Sequence, residues 1–140
     1  MMSDTTLLRP AIVLVVWTLV MWTWMLSRRL PAMRAHKVQP QDALHTRDLA
    51  ARLPSAAQAP ADNYNHLLEQ PTIFYATCII GAIAGGAGWV GLVLAWSYVG
   101  LRIVHSVWQA TVGRVMVRFS LFAASTLTLI ALAILVALRL

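Results

Sequence analysis

The chain has 140 residues, of which 59% are hydrophobic and only 11% are charged, and its formal net charge is +6. Soluble domains carry roughly 25% charged residues, so this composition excludes an ordinary soluble domain and predicts an integral membrane protein. A charge of this sign also occurs in nucleic-acid-binding proteins. In so apolar a chain we interpret the basic residues as markers of membrane topology, and we expect no nucleic-acid partner.

Four apolar stretches are long enough to cross a bilayer, which takes about 20 residues each. They cover about 7–26, 66–85, 88–108 and 119–138. We therefore predict an all-α, four-transmembrane-helix bundle that forms a single membrane domain over residues 1–140. The first stretch exceeds the roughly 7–15 apolar residues of a typical signal peptide, which favours an uncleaved anchor.

The loops predict how the bundle is oriented. The first connection, about 27–64, carries six Lys and Arg residues against three Asp, and the third carries Arg114 and Arg118. The second connection, around residues 85–88, has no charge. Because positively charged loops stay in the cytoplasm, we expect the first and third loops there and both termini outside it.

The start of the second apolar stretch allows two interpretations. If the helix begins near Asn63, then Asp62 or Asn63 caps it, and Asn65 and Glu69 share a face inside the helix. If it begins at Pro71, Glu69 is an acidic residue in a loop. The apolar run that starts at Leu67 favours the first interpretation.

The third stretch contains a polar stripe. Tyr98, Arg102, His105, Ser106 and Gln109 have the spacing i, i+4, i+7, i+8 and i+11, which places them on one face of a helix. An arginine at membrane depth is costly and usually faces a bundle interior or a wet cavity. This face is therefore expected to point at a polar partner.

The polar residues converge on the predicted cytoplasmic leaflet, where Arg102, Arg114 and Arg118 outnumber Glu69. Such a cationic pocket would bind an anion, preferably one with carboxylates, and would favour the thiolate form of a bound thiol. Simpler explanations remain: Arg102 and Glu69 pair, the loop arginines anchor the protein at headgroups, and His105 makes an interhelical hydrogen bond. The sequence shows no cluster of metal ligands, and we expect no metal.

Two motifs suggest a family. Asn65-x-x-x-Glu69 opens the second span, and Arg102-Ile-Val-His105-Ser106 in the third span is followed by further arginines before the fourth. With the span count and the basic first loop, they resemble a bacterial-type member of the MAPEG family, the membrane-associated proteins in eicosanoid and glutathione metabolism. The resemblance covers nearly the whole chain. It implies a homotrimer that binds glutathione between adjacent subunits.

Carried over onto matching positions, the resemblance implies residues that bind glutathione and residues that act on its thiol. Asn65 and Glu69 would hold the glutathione backbone, while Arg102 and His105 would line the site. Either Arg28 or Arg29 would match the arginine at the end of the family's first helix. Implied binding residues are thus Arg29, Asn65, Glu69, Arg102, His105 and Gln109, and implied catalytic residues, which would stabilise the thiolate, are Arg114 and Arg118.

The chain departs from the family pattern Arg-x-x-x-Asn-x-x-Glu, because Asp62 stands at the arginine position and His66 at the asparagine position. Gln109 replaces the tyrosine four residues after the histidine. The first expectation is a glutathione transferase or peroxidase that acts on lipophilic electrophiles in a bacterial inner membrane, in contact with its lipids. The alternatives are a non-catalytic MAPEG-fold subunit, a lipid-binding protein or, more weakly, a proton relay through Glu69 and His105.

Overall fold

The computed structural model of the protein describes residues 4–39, 41, 49 and 51–140. A 3₁₀ turn over Asp4–Leu7 leads into five α-helices in the described part of the chain. They are α1 (Leu8–Ala35), α2 (Ser55–Glu69), α3 (Pro71–Ile83), α4 (Gly88–Thr111) and α5 (Val115–Ala137). No strand occurs among these residues, which confirms the all-α fold class.

Three helical segments are long and apolar enough to cross a membrane: Thr5–Ala35, Gly88–Thr111 and Val115–Ala137. The predicted second span is instead divided at Gln70, because Pro71 has no backbone N–H and its ring interferes with the preceding turn. Gln70 keeps helical dihedral angles, φ −64° and ψ −38°, so that α3 continues directly from α2. Many large apolar side chains on these helices are exposed, as lipid contact requires.

The first connection is shorter than the predicted 27–64. Helix α1 continues to Ala35 although the apolar run ends near Leu26, since a loss of hydropathy does not end a helix. Helix α2 begins at Ser55, after Pro54 and within an alanine-rich segment of high helix propensity. Asp62 and Asn63 therefore lie inside α2, and the prediction that one of them caps the helix was wrong. The sequence also allows a short helix around Gln41–Leu53, within the first connection, and most of that segment lies outside the described residues.

The chain reverses direction after α1, after the continuous pair of α2 and α3, and after α4. At one end of the bundle the chain brings Gly81 of α3 close to Leu7 and Val136, and Gly88 close to Arg139. At the other end, a cavity is shared by the last part of α1, the first turn of α2 and the end of α4. Both ends of the described chain thus lie on one side, as predicted. Which side faces the cytoplasm stays a prediction.

The core lies where α4 packs against α1, α2 and α5. Its fully buried large side chains include Leu14, Met21, Phe74, Tyr98 and Leu132. Cys78 is also fully buried among apolar neighbours, as expected for a packing residue. This arrangement makes α4 the helix whose polar face is enclosed by the other helices.

Candidate functional site

The polar stripe on α4 faces the interior, as its spacing predicted. The exposed fraction is 0% for Tyr98, Arg102 and Ser106, 2% for His105 and 3% for Gln109. The stripe therefore places five polar side chains in the interior of the bundle. Buried polar groups need hydrogen-bond partners, so the neighbouring helices decide what this face can do.

Helix α2 supplies partners at two levels. Asn63 Nδ2 donates a hydrogen bond to Gln109 Oε1 at 3.1 Å, and both side chains are buried. One to two turns further along, Arg102 Nη2 donates to the backbone carbonyl oxygen of His66 at 2.8 Å. We call this line of contacts between α2 and α4 the polar seam, and it continues at Gln70.

The third level of the polar seam joins α2, α4 and α5. Tyr98 donates its hydroxyl to Gln70 Oε1 at 3.4 Å, and Gln70 Nε2 donates to Thr126 Oγ1 at 2.7 Å. The ring of Tyr98 stacks on Phe74, with centroids 4.5 Å apart. Since Tyr98 lies near the middle of α4, Gln70 and its neighbour Glu69 lie near the middle of the bundle.

Only part of the hydrogen-bonding capacity of the Arg102 guanidinium is used. Its Nε and Nη1 atoms are buried without a hydrogen-bond partner in the described part of the chain. Its Cζ atom lies 5.9 Å from the ring centroid of Phe122, a contact through which an aromatic face attracts a cation. A desolvated guanidinium with two free donor atoms can bind an anion bidentately.

Asn65 and Glu69 do not face the polar seam. Both are exposed in the single chain, because they lie on a different face of α2 from Asn63 and Gln70, with His66 between the two faces. The Glu69 side chain is 71% exposed, and its nearest ionisable contact is His66 Nδ1 at 3.6 Å from Oε2. Among the described residues, Glu69 forms no ion pair with Arg102, so the simple pairing of these two charges is not made.

Three residues that contact the stripe were missed from the sequence. Asn63 was considered only as a helix cap, His66 only as a replacement in the family motif, and Gln70 was not considered. Asn63, His66 and Gln70 have the spacing i, i+3 and i+7 of a single helix face, the same signal that identified the stripe on α4. Applied to α2, that signal could have found them.

A cavity of about 190 Å³ lies beside the polar seam, between α2, α4 and α5. We call it the aromatic cavity; it is lined by His66, His105, Val115, Arg118, Phe119 and Phe122. His105 is buried with Nδ1 unpartnered among the described residues, and its ring centroid lies 6.3 Å from that of His66. The structure thus brings together His105 and Arg118, two residues proposed from the sequence.

Arg114 is separated from this cavity. It is exposed at the start of α5, with the extended dihedral angles of a residue that precedes a helix. The two candidate catalytic arginines therefore differ in position: Arg118 lines the aromatic cavity and Arg114 does not.

A second cavity, of about 530 Å³, lies further along α2, at the end of the bundle formed by α1, α2 and α4. We call it the helix-end cavity, and its wall includes Trp24, Arg28, Ser55, Ala56, Gln109 and Gly113. Arg28 lines it, whereas Arg29 is half-buried outside it with Nε unpartnered in the described residues. The candidate binding residues are thus divided between two cavities and an outer helix face.

The chemistry of this site suits an anion. No group of three or more His, Cys, Asp or Glu side chains in the described residues could hold a metal. The aromatic cavity combines a cation, two imidazoles and two aromatic rings, which suits an anionic group joined to an apolar one.

Comparisons with known proteins give one match. Neither a curated protein nor a solved structure matches the chain. The model of the MAPEG family matches residues 7–138, which is nearly all of the 140-residue chain. Together with the apolar helices, this match establishes an integral membrane protein of helical-bundle type. The chain therefore belongs to the MAPEG family.

Proposed function

We propose that this protein is a membrane-bound glutathione transferase or peroxidase that acts on lipophilic electrophiles. Membership of the MAPEG family suggests a glutathione transferase-like or related function. The observation that carries the proposal is the buried guanidinium of Arg102, with two unpartnered nitrogen atoms beside the aromatic cavity. An uncompensated buried cation is costly, and an anionic substrate would offset that cost.

The chemistry required of the protein is modest. It must hold glutathione and an electrophile together and stabilise a thiolate, which the positive charge of an arginine favours. We assign the thiolate to Arg118, because that side chain lines the same cavity as His105. Val115 and Phe119, two largely exposed residues of that cavity, offer an apolar route by which an electrophile dissolved in lipid would enter.

The active form in this proposal is a homotrimer in which neighbouring subunits complete the site. Glu69 lies near the middle of the bundle, and its side chain is 71% exposed in the single chain. A charged group facing lipid at that depth costs at least about 2.5–3.5 kcal/mol. A neighbouring subunit that covers Glu69 and Asn65 would remove this cost and would bring both residues to a site between subunits.

The test is glutathione binding by the purified protein in neutral detergent. We expect wild-type protein to bind glutathione below millimolar concentration and to show the ultraviolet absorbance of a bound thiolate. Arg102→Met should weaken binding roughly ten- to hundredfold, the loss expected when a buried charge-assisted hydrogen bond is removed. Arg118→Gln should reduce the thiolate absorbance at saturating glutathione.

The matched control is Arg114→Gln, which removes an arginine of the same loop region that does not line the cavity. It should leave both affinity and thiolate absorbance near the wild-type values. Absence of binding at millimolar glutathione would refute the proposal, and equal effects of the Arg114 and Arg118 substitutions would refute the role of Arg118.

A second candidate function is that of a non-catalytic MAPEG-fold subunit. The favouring observation is that Gln109 uses its side-chain oxygen to accept a hydrogen bond from Asn63, so that the polar seam is partly closed by its own residues. In this alternative the seam holds the helices in register and glutathione does not bind. The binding experiment separates the two functions.

A further inference from the structure

The helix-end cavity has features of an anion site that the proposed function does not use. Helix α2 begins at its wall, and Ser55 and Ala56 lie in the first turn. Pro54, which precedes the helix, makes no side-chain cap, and its carbonyl oxygen accepts from the N–H groups of Ala57 and Gln58. The N–H groups of Ser55 and Ala56 have no acceptor in the described part of the chain, as is usual for helix N-termini.

Two side chains on the wall add donors to this helix terminus. Arg28 projects from α1 with no hydrogen bond or ion pair among the described residues. Gln109 is 3% exposed, and its Nε2 is unpartnered in the described residues because Asn63 contacts only its oxygen. A buried amide donor, an arginine and a helix N-terminus therefore come from three different helices.

We propose that the helix-end cavity binds an anionic phosphate group, which the headgroup of an acidic lipid can supply. Helix N-termini and arginine forks are the two protein features that bind phosphate most readily. The volume of about 530 Å³ falls within the range of about 300–1,000 Å³ usual for small-molecule sites. The apolar part of the wall, which includes Trp24, suits a ligand that belongs to the membrane surface.

This site is separate from the aromatic cavity, to which we assign the glutathione thiol. His105 and Arg118 line the aromatic cavity, and neither lines the helix-end cavity. Gln109, which the family resemblance implies for glutathione, lies at the helix-end cavity instead. A phosphate-bearing lipid held here would join the end of α1 to the start of α2 and the end of α4. The site would therefore make the packing of these helix ends depend on the lipid composition of the leaflet.

The test uses full-length protein in nanodiscs that contain equal amounts of phosphatidylglycerol and phosphatidylcholine. Native mass spectrometry then counts the lipids that stay bound after the protein is released from the nanodisc. We expect wild-type protein to retain phosphatidylglycerol several-fold more than phosphatidylcholine. Arg28→Gln should reduce this preference about fivefold to tenfold, since it removes one charge-assisted contact.

A second variant removes a backbone donor. Ser55→Pro deletes the N–H of the first residue of α2, a position where proline is well tolerated. Pro54 already has φ −62° and ψ 151°, the conformation that a following proline requires. We expect Ser55→Pro to reduce phosphatidylglycerol retention severalfold, whereas Ser55→Ala, which keeps the N–H, should not.

Arg34→Gln is the control for diffuse attraction, since Arg34 also lies on α1 but outside this cavity. It should keep the wild-type preference. Equal losses for Arg28→Gln and Arg34→Gln, or for Ser55→Pro and Ser55→Ala, would overturn the proposal. Displacement of bound phosphatidylglycerol by glutathione would also overturn it, because the cavity would then belong to the glutathione site.

A separate measurement distinguishes the sources of the phosphate. Inorganic phosphate is titrated into lipid-free protein in neutral detergent and followed by ³¹P NMR line broadening. Broadening with wild type but not with Arg28→Gln, without any lipid preference, would support a site for free phosphate. Lack of both broadening and lipid preference would overturn the proposal, whatever the outcome of glutathione binding.

Discussion

Asn63 and Gln109 are buried amides on different helices, and only one hydrogen-bonding group of each is paired with the other. One hydrogen bond of 3.1 Å joins them, while Asn63 Oδ1 and Gln109 Nε2 have no partner in the described residues. The family resemblance implies a tyrosine at position 109, where this chain has a glutamine. The amide pair is therefore a local feature of this chain that fixes how α2 meets the end of α4.

We expect the loss of either member of this pair to destabilise the protein. Gln109→Met leaves the Asn63 amide buried without an acceptor, which costs about 1–3 kcal/mol, and Asn63→Leu has the converse effect. The double variant removes both polar groups, so its loss should be smaller than the sum of the single losses. Thermal unfolding in detergent measures all four proteins, and strictly additive losses would show that the pair is not coupled.

The sequence predicts the buried residues of one helix of the polar seam better than those of the other. The stripe on α4 could be predicted because its polar residues interrupt a long apolar run, and all five are buried as expected. The face of α2 that carries Asn63 and His66 was harder to recognise because other residues of this helix are also polar and no long apolar run sets these two apart. The expected position of Glu69 was also wrong: with α2 starting at Ser55, Glu69 lies near mid-length of the bundle, on its outer surface, and not at one end.

Helix α3 illustrates what sequence periodicity leaves undetermined at the scale of elements. Its length and composition indicated a span, but the direction of each face depends on contacts with residues distant in the chain. Gly81 is the clearest example, because a Cβ atom there would lie 2.7 Å from Leu7 Cδ1 and 3.0 Å from Val136 Cγ2. The small residue lets α3 approach both ends of the described chain closely.

We predict that Gly81→Leu lowers the thermal stability of the protein. The added side chain must displace Leu7 and Val136, and overpacking of a well-packed site costs about 1–3 kcal/mol. Gly100→Leu is the matched control, since nothing lies within 4 Å of a Cβ atom at Gly100, which is exposed on α4. The control should be neutral or slightly stabilising because leucine favours helix more than glycine does. Equal losses for both variants would argue against the close contact at Gly81.

At the scale of the whole molecule, the alternation of apolar stretches and charged loops was enough to predict a helical membrane bundle with both ends on one side. The division of the second span at Gln70 was not predictable to the residue, since proline is tolerated in membrane helices where neighbours satisfy the freed groups. The face of α2 that carries Asn65 and Glu69 exposes an amide and a carboxylate near mid-length of the bundle, where contact with lipid is costly. Whether a neighbouring subunit covers this face can be tested by substitution.

We expect Glu69→Leu to weaken the proposed homotrimer. If a neighbouring subunit covers Glu69, the substitution removes a buried polar contact, and the trimer dissociation constant should rise on the order of tenfold to a hundredfold. If Glu69 instead faces lipid, the same substitution removes a charge from hydrocarbon, which should raise the unfolding temperature without changing the stoichiometry.

Native mass spectrometry over a range of protein concentrations, combined with thermal unfolding, separates these outcomes. The first outcome weakens the assembly, whereas the second stabilises the protein and leaves its assembly unchanged. Asp62→Leu is the control: this acid is also exposed on α2 but accepts a hydrogen bond from Gln58 one turn earlier in the helix, and its loss should leave the trimer intact. A wild-type protein that is monomeric at every concentration, or a stabilised Glu69→Leu variant of unchanged stoichiometry, would exclude a subunit interface on this face.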